Sequence, residues 1–223
     1  ARTATGPLLD LSLLKIDTFF ASVVGGFIFR VGIGATPFLL PLLLQLGFGL
    51  TPFQSGMLTF STALGAMAMK TTAAPILRRF GFKQILVINA LVSAVFIGIP
   101  ALFTPITPHG LILVVLLVGG FFKSLQFTSI NSLAYADIEP RAMSAATSFA
   151  SVAQQLSMSA GVAVGALVLE IQRHGRAETA VEPRDFITAF VVVGLISAAS
   201  AFIFMRLPKS AGASLSRPAR PIA

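Results

Sequence analysis

Residues 119–144 read "GGFFKSLQFTSINSLAYADIEPRAMS". The stretch begins with the apolar density of a membrane segment, yet it holds a lysine, Lys123, in its interior, where a bilayer accommodates a cation least easily. The charged run from Asp137 to Arg141 then ends it. Outward from this segment the chain repeats the same pattern. It has 223 residues, 55% hydrophobic and 11% charged, with a mean hydropathy of +0.89. A hydrocarbon core about 30 Å thick needs roughly 20 apolar residues per helix. Six segments of that kind can be counted: Thr18–Phe48, Phe53–Leu77, Gln84–Phe103, Leu111–Tyr135, Met143–Glu170 and Phe186–Met205. The first and fifth exceed what a bilayer requires, which permits tilt or a kink. The ten-residue alternation of transmembrane β-strands is not seen. The fold class is therefore all-α integral membrane.

Three regions follow. Residues 1–17 are a lead-in, 18–206 a six-span membrane domain, and 207–223 a basic tail rich in Pro, Ser and Ala, expected to be disordered. Lys and Arg near span ends set topology. Arg2, Lys15, Arg78, Arg79, Lys83, Arg141, Arg206, Lys209, Arg217 and Arg220 all fall on one side. Arg173, Arg176 and Arg184 fall on the other, among Glu178, Glu182 and Asp185. Both termini are expected in the cytoplasm, and a multi-pass location in a bacterial inner membrane follows. The net charge of +8 is thus a topology signal, and no nucleic-acid partner is expected. Attraction of the basic tail to anionic lipid is a weaker alternative use of the same charges.

The chain has no cysteine, which excludes disulfides and thiolate metal sites. His109 and His174 fall in loops and read as surface residues, so no metal site or cofactor is expected. No cleavable signal sequence is read at the start. The first residue, Ala1 rather than Met, points to a fragment or a processed product.

Three basic residues fall inside spans: Arg30, Lys70 and Lys123. Lys70 is near enough to Arg78 to snorkel to the interface. At 1.5 Å per residue, Arg30 and Lys123 each lie about 18 Å from the start of their span, near the midplane. A central Lys or Arg costs roughly 2.5–3.5 kcal/mol, so something polar must face them. Gly26, Gly34, Pro37 and Pro41 share a stripe with Arg30, while Gln126 and Asn131 share the broad side of Lys123, with Phe127 between them. The fifth span adds Thr147, Ser151, Gln154, Ser157 and Gly161 at helical steps. Arg30, Lys123, Gln126, Asn131, Ser151 and Gln154 are the candidate cavity residues. The competing reading of the fifth-span stripe is helix packing, with Gly161 and Gly165 as a small-xxx-small pair. No acid lies at the depth of the two cations, so the spans hold no evident proton carrier. Spans three and six, with only scattered polar residues such as Asn89 and Ser200, read as lipid-facing supports.

"PLLDLSLLK" (7–15), "GFFKSLQFTSINSLAYADI" (120–138) and "MSAATSFASVAQQLSMSAGVAVGA" (143–166) together resemble the C-terminal half of major facilitator superfamily transporters, and most closely the fourteen-span drug:proton antiporter branch. The loop "APILRRFGFK" (74–83) is similar to the family's cytoplasmic signature through Arg79, Gly81 and Lys83. Ala74 stands where that signature has its first glycine, and Arg78 where it has an acid, so the acid's charge-relay role is not carried over. The resemblance implies two inverted three-helix repeats, with helices one, two, four and five around a cavity and three and six outside. It implies export of amphipathic small molecules by alternating access. It also implies a partner: an N-terminal half, or a second copy of this chain, which would place two Arg30 and two Lys123 around one cavity and favour an anionic substrate.

The leading expectation is half of a secondary transporter acting on a small molecule in a lipid surround. A non-transporting membrane interaction module is the alternative. An enzyme is not expected, because the spans hold no His and no acid pair, and Ser124 projects about 100° away from Lys123 on a helix.

Overall fold

The computed structural model describes residues 10–174 and 182–213, all helix, turn and loop. After a short 3₁₀ turn, Leu11–Lys15, six long helices follow: α1 Asp17–Gly47, α2 Pro52–Phe80, α3 Phe82–Leu102, α4 His109–Ala134, α5 Met143–His174 and α6 Pro183–Met205. Among the described residues, five of them are long and apolar enough to cross a membrane. The exception is α2, counted as a span from the sequence. It has 29 residues, but Gln54, Ser55, Thr59, Ser61, Thr62, Lys70, Thr71 and Thr72 dilute its apolarity.

Local chemistry sets the boundaries. Thr51 caps α2 in a reciprocal box with Gln54, and Pro52 takes the first helical position. Glu182 and Asp185 form the equivalent box ahead of α6, with Pro183 first. Pro37 and Pro41 lie inside α1, which carries π-helical turns at Ala21–Gly25 and Leu43–Gly47. Each proline withdraws a backbone donor, so bending in this helix has a covalent origin.

The turn between α2 and α3 is the single residue Gly81, at φ +74° and ψ 160°. A side chain rarely adopts that backbone region, although nothing lies within 4 Å of where a Cβ would stand. Gly81→Ala is therefore expected to cost about 1–3 kcal/mol through backbone strain alone. Chemical denaturation of the purified protein measures it.

The helices pair through backbone contact. α1 runs parallel to α5, with Gly161 against the backbone of Val31 and Ala35, Gly165 against Leu39, and Gly34 against Met158. α2 runs parallel to α4 in the same manner, with Gly65 against Leu117 O and Gly120 against Thr62 O. α3 is antiparallel to α6, where Gly194 meets Ala94 and Phe186 and Phe190 are fully buried. Helices in lipid gain little from apolar burial and associate where small residues let backbones approach. α6 also crosses α1, and Ser197 donates to Phe29 O at 3.1 Å.

α2 and α5 show the most exposed surface, including Phe53, Met57 and Met67 on one and Leu156, Leu167 and Ile171 on the other. α3 and α6 bury their polar residues Asn89, Ser93, Ser197 and Ser200 and expose large apolar ones, among them Leu91, Val95, Leu195 and Phe202. Residues 207–213, grouped with the tail from sequence, differ from expectation. Leu207 and Ala211 are buried in the main apolar cluster, and Gly212, at φ +69°, sits against Phe82. An apolar residue at every fourth position lets this short segment fold back onto the start of α3. The remainder of the expected tail, residues 214–223, lies outside the described residues.

Candidate functional site

α1, α2 and α4 enclose a cleft of about 520 Å³. Its α1 wall comes from Thr36 and the two prolines, its α2 wall from Thr59, Thr62, Ala63 and Ala66, and its α4 wall from Gly120, Lys123, Ser124 and Phe127. The walls stand where they do because of glycine. Gly65 and Gly120 draw α2 and α4 together at backbone distance, and Pro37 and Pro41 face the gap that remains on the α1 side.

Lys123 is 8% exposed and has no hydrogen-bond or ion-pair partner among the described residues. An ammonium in that state is costly in a membrane interior unless water or a ligand reaches it. Arg30 is 4% exposed and is held more fully. Its Nη2 donates to Asn131 Oδ1 at 2.8 Å, and its guanidinium carbon lies 5.4 Å from the Phe127 ring centroid, within cation–π range. Its Nε is buried without a partner. Phe127 thus belongs to both cations, lying beneath Arg30 and lining the cleft beside Lys123. Gly26 leaves room for this side chain, since a Cβ would stand 2.8 Å from Arg30 Nη1 and from Ile130 Cγ2.

Asn131→Ala removes the one side-chain acceptor that Arg30 has here. A hydrogen bond to a charged group is worth about 1.5–3 kcal/mol, and a loss of that size is expected in thermal unfolding of the variant. Asn131→Asp, which supplies a carboxylate in the same place, is expected to hold or raise stability.

The other candidate residues are placed apart from Lys123. Gln126 is 0% exposed. Its Nε2 donates to Leu86 O at 2.9 Å, and its Oε1 accepts from Asn89 Nδ2 at 3.0 Å. Asn89 also donates to Phe122 O at 2.9 Å, so this pair ties α3 to α4 on the side away from the cleft. On α5, Ser151 is exposed and Gln154 half-buried, and neither lines the cleft. Ser157 donates back to Gln154 O at 2.7 Å and is buried beside the Gly161 and Gly165 contact with α1. Lys70 is exposed. Arg78 and Arg79 are exposed at the end of α2, and the Arg79 guanidinium lies over Phe80. Lys83 follows Gly81 in the first turn of α3.

Thr36, Thr59, Thr62 and Ser124 are cleft residues that the sequence reading passed over. Thr59, Thr62, Ala63 and Ala66 stand at steps of three and four, a small and polar face on α2 that marks it as a cleft wall. Ser124 neighbours Lys123, yet both line the cleft because it is wide enough to span adjacent directions on α4. Among the described residues no group of His, Asp and Glu could hold a metal ion.

Comparison with known proteins adds the family. The model of the Major Facilitator Superfamily matches residues 22–222. The chain is 33% identical over 214 residues to the "Putative multidrug resistance protein MdtD" of Salmonella paratyphi A, an alignment covering 93% of this chain and 45% of that protein. The proteins of the same name from Salmonella newport and Salmonella typhimurium match at the same identity and coverage. The chain therefore spans about half the length of the curated relatives it matches.

Proposed function

The chain belongs to the Major Facilitator Superfamily, and on that premise we propose that it is one half of a secondary transporter, with the cleft between α1, α2 and α4 as its share of the translocation path. One observation carries this reading: Lys123 lines an intramembrane cleft with no acid or other partner beside it. A trapped structural charge would be paired, whereas a charge that serves a passing ligand is left free to receive it.

Two inverted three-helix repeats are the internal arrangement we infer. Exchanging α1 with α4, α2 with α5 and α3 with α6 turns the glycine-built α1–α5 contact into the α4–α2 contact and returns the α3–α6 contact to itself, which supports such a two-fold relation. The exposed faces of α2 and α5 support a partner half, either an N-terminal half or a second copy of this chain. Motion of one half against the other would give alternating access. The bias of Lys and Arg toward one end supports cytoplasmic termini in a bacterial inner membrane.

Relatives named for multidrug resistance support small amphipathic substrates. The sign of the cleft narrows this. Lys123 is the charged residue of its lining and no acid lines it, so amphipathic anions should bind and matched cations should not. A proton carrier, if transport is proton-coupled, has to come from the partner half. Purified protein with its partner half is expected to gain several degrees of thermal stability from a saturating amphipathic carboxylate or sulfonate, since a ligand that binds only the folded state stabilises it by about 2.7 kcal/mol at a hundredfold excess over Kd. A quaternary ammonium of equal size is expected to give no shift. Stabilisation by the cation alone would overturn the charge assignment, and no shift with any ligand would favour a non-transporting module.

A further inference from the structure

A second cleft, of about 530 Å³, opens at the end of the bundle where α2 stops, α3 starts and α6 finishes. Phe80, Ile88 and Met205 are large apolar residues on its wall, 48%, 53% and 45% exposed. Lys83 and Lys209 stand on its rim. Neither lysine has an ion-pair partner among the described residues, and no acid lines the cleft. The segment that follows α6 is held in place by Leu207 and Ala211, both buried, and by Gly212 against Phe82. Lys209 is thereby held on the same cleft as Lys83.

From this we propose that the cleft binds one anionic glycerophospholipid, with its phosphate between Lys83 and Lys209 and an acyl chain along Ile88 and Met205. Charge complementarity selects the head group: two lysines with no acid beside them line one cleft, and a bilayer presents phosphate to such a site. Arg78, Arg79 and Arg206 surround the same end and are exposed, which adds a positive field. The apolar wall selects a lipid over a free anion, because exposed Phe, Ile and Met beneath a charged rim match an acyl chain beneath a phosphate. The site lies apart from the Lys123 cleft and does not depend on transport.

Native mass spectrometry of the purified chain, with dioleoylphosphatidylglycerol or dioleoylphosphatidylcholine added, tests the proposal. The phosphatidylglycerol adduct is expected to be retained about tenfold better than the phosphatidylcholine adduct. Lys83→Gln with Lys209→Gln is expected to abolish that difference. Arg78→Gln with Arg79→Gln removes the same charge from the same end but not from the cleft, and is expected to keep most of it. Equal loss in both double variants would mean diffuse attraction and would overturn the site. Ile88→Gln, which leaves every charge in place, is expected to weaken the adduct several-fold, and an unchanged adduct would overturn the apolar half of the assignment. Millimolar inorganic phosphate is expected not to displace the lipid. Displacement would make the cleft a free-phosphate site and overturn the lipid reading.

Discussion

Lys123→Met is expected to abolish transport while raising the thermal midpoint of the protein. The two effects separate because the lysine is buried without a partner. A lysine at the bilayer centre costs roughly 2.5–3.5 kcal/mol, of which water in the cleft relieves a part, and methionine of similar length fills the same space without that cost. A gain of about 2 kcal/mol would raise the midpoint by roughly 4–8 °C for a chain of this size. If the lysine held the helices together, its loss would lower the midpoint and transport would fall with the amount of folded protein. Transport is expected to drop at least tenfold at equal membrane level, because a ligand anion loses a charge-assisted hydrogen bond made away from bulk water, about 1.5–3 kcal/mol. Equal transport by the variant would remove Lys123 from the path. Rescue by Lys123→Arg is expected to be incomplete, since the guanidinium is larger and planar where Gly120 and Phe127 confine the site.

The other large effect is expected at the helix crossings. Gly120→Leu drives a side chain into Thr62 O, and Gly161→Leu drives one into Val31 O. In both cases the obstacle is backbone, so a rotamer change cannot relieve it. Overpacking alone typically costs about 1–3 kcal/mol, and separation of the helices adds lost contact along each crossing. Either variant is expected to lose about 3 kcal/mol or more, seen as absence of folded protein after detergent extraction. Gly56→Ala is the matched contrast. Nothing lies within 4 Å of its position on α2, and removing backbone freedom from an open helix site is expected to stabilise by about 0.5–1 kcal/mol.

How far these features were legible in the sequence depends on the periodicity each leaves. The all-helical class and the approximate spans follow from the length of apolar runs, which the bilayer fixes. α2 reads as one more span because its apolar residues are numerous, but its hydroxyl residues lower it below the others. Arg30 meets Asn131 directly, and Phe127, which Arg30 overlies, lines the cleft with Lys123. Gln126 does not. A step of three from Lys123 places it on the same broad side of a helix, about 60° away, and that angle is enough to turn its amide to Asn89 and Leu86 on α3. Sequence spacing gives direction around one helix. It says nothing of which neighbour stands there, and so only the packing of α2 against α4 identifies Thr59 and Thr62 as cleft residues. Ser151 lies on the exposed face of α5 and apart from the cleft, and a polar stripe reads the same whether it faces a cavity or an open helix face. The ordering of residues 207–213 was hidden because Leu207 and Ala211 are too few to outweigh the Pro, Lys and Ser between them.

Solvent access to the cleft beside Lys123 is the most direct test of the central claim. The chain has no cysteine, so a single Thr62→Cys supplies the sole reactive thiol in it. In membranes that carry the assembled transporter, its rate of reaction with a membrane-impermeant maleimide can be compared with that of Leu91→Cys, which is exposed midway along α3. The account predicts fast labelling of Cys at position 62, slowed by an amphipathic anion, and negligible labelling at position 91. Labelling at position 62 as slow as at position 91, with and without the anion, would contradict a water-filled translocation cleft.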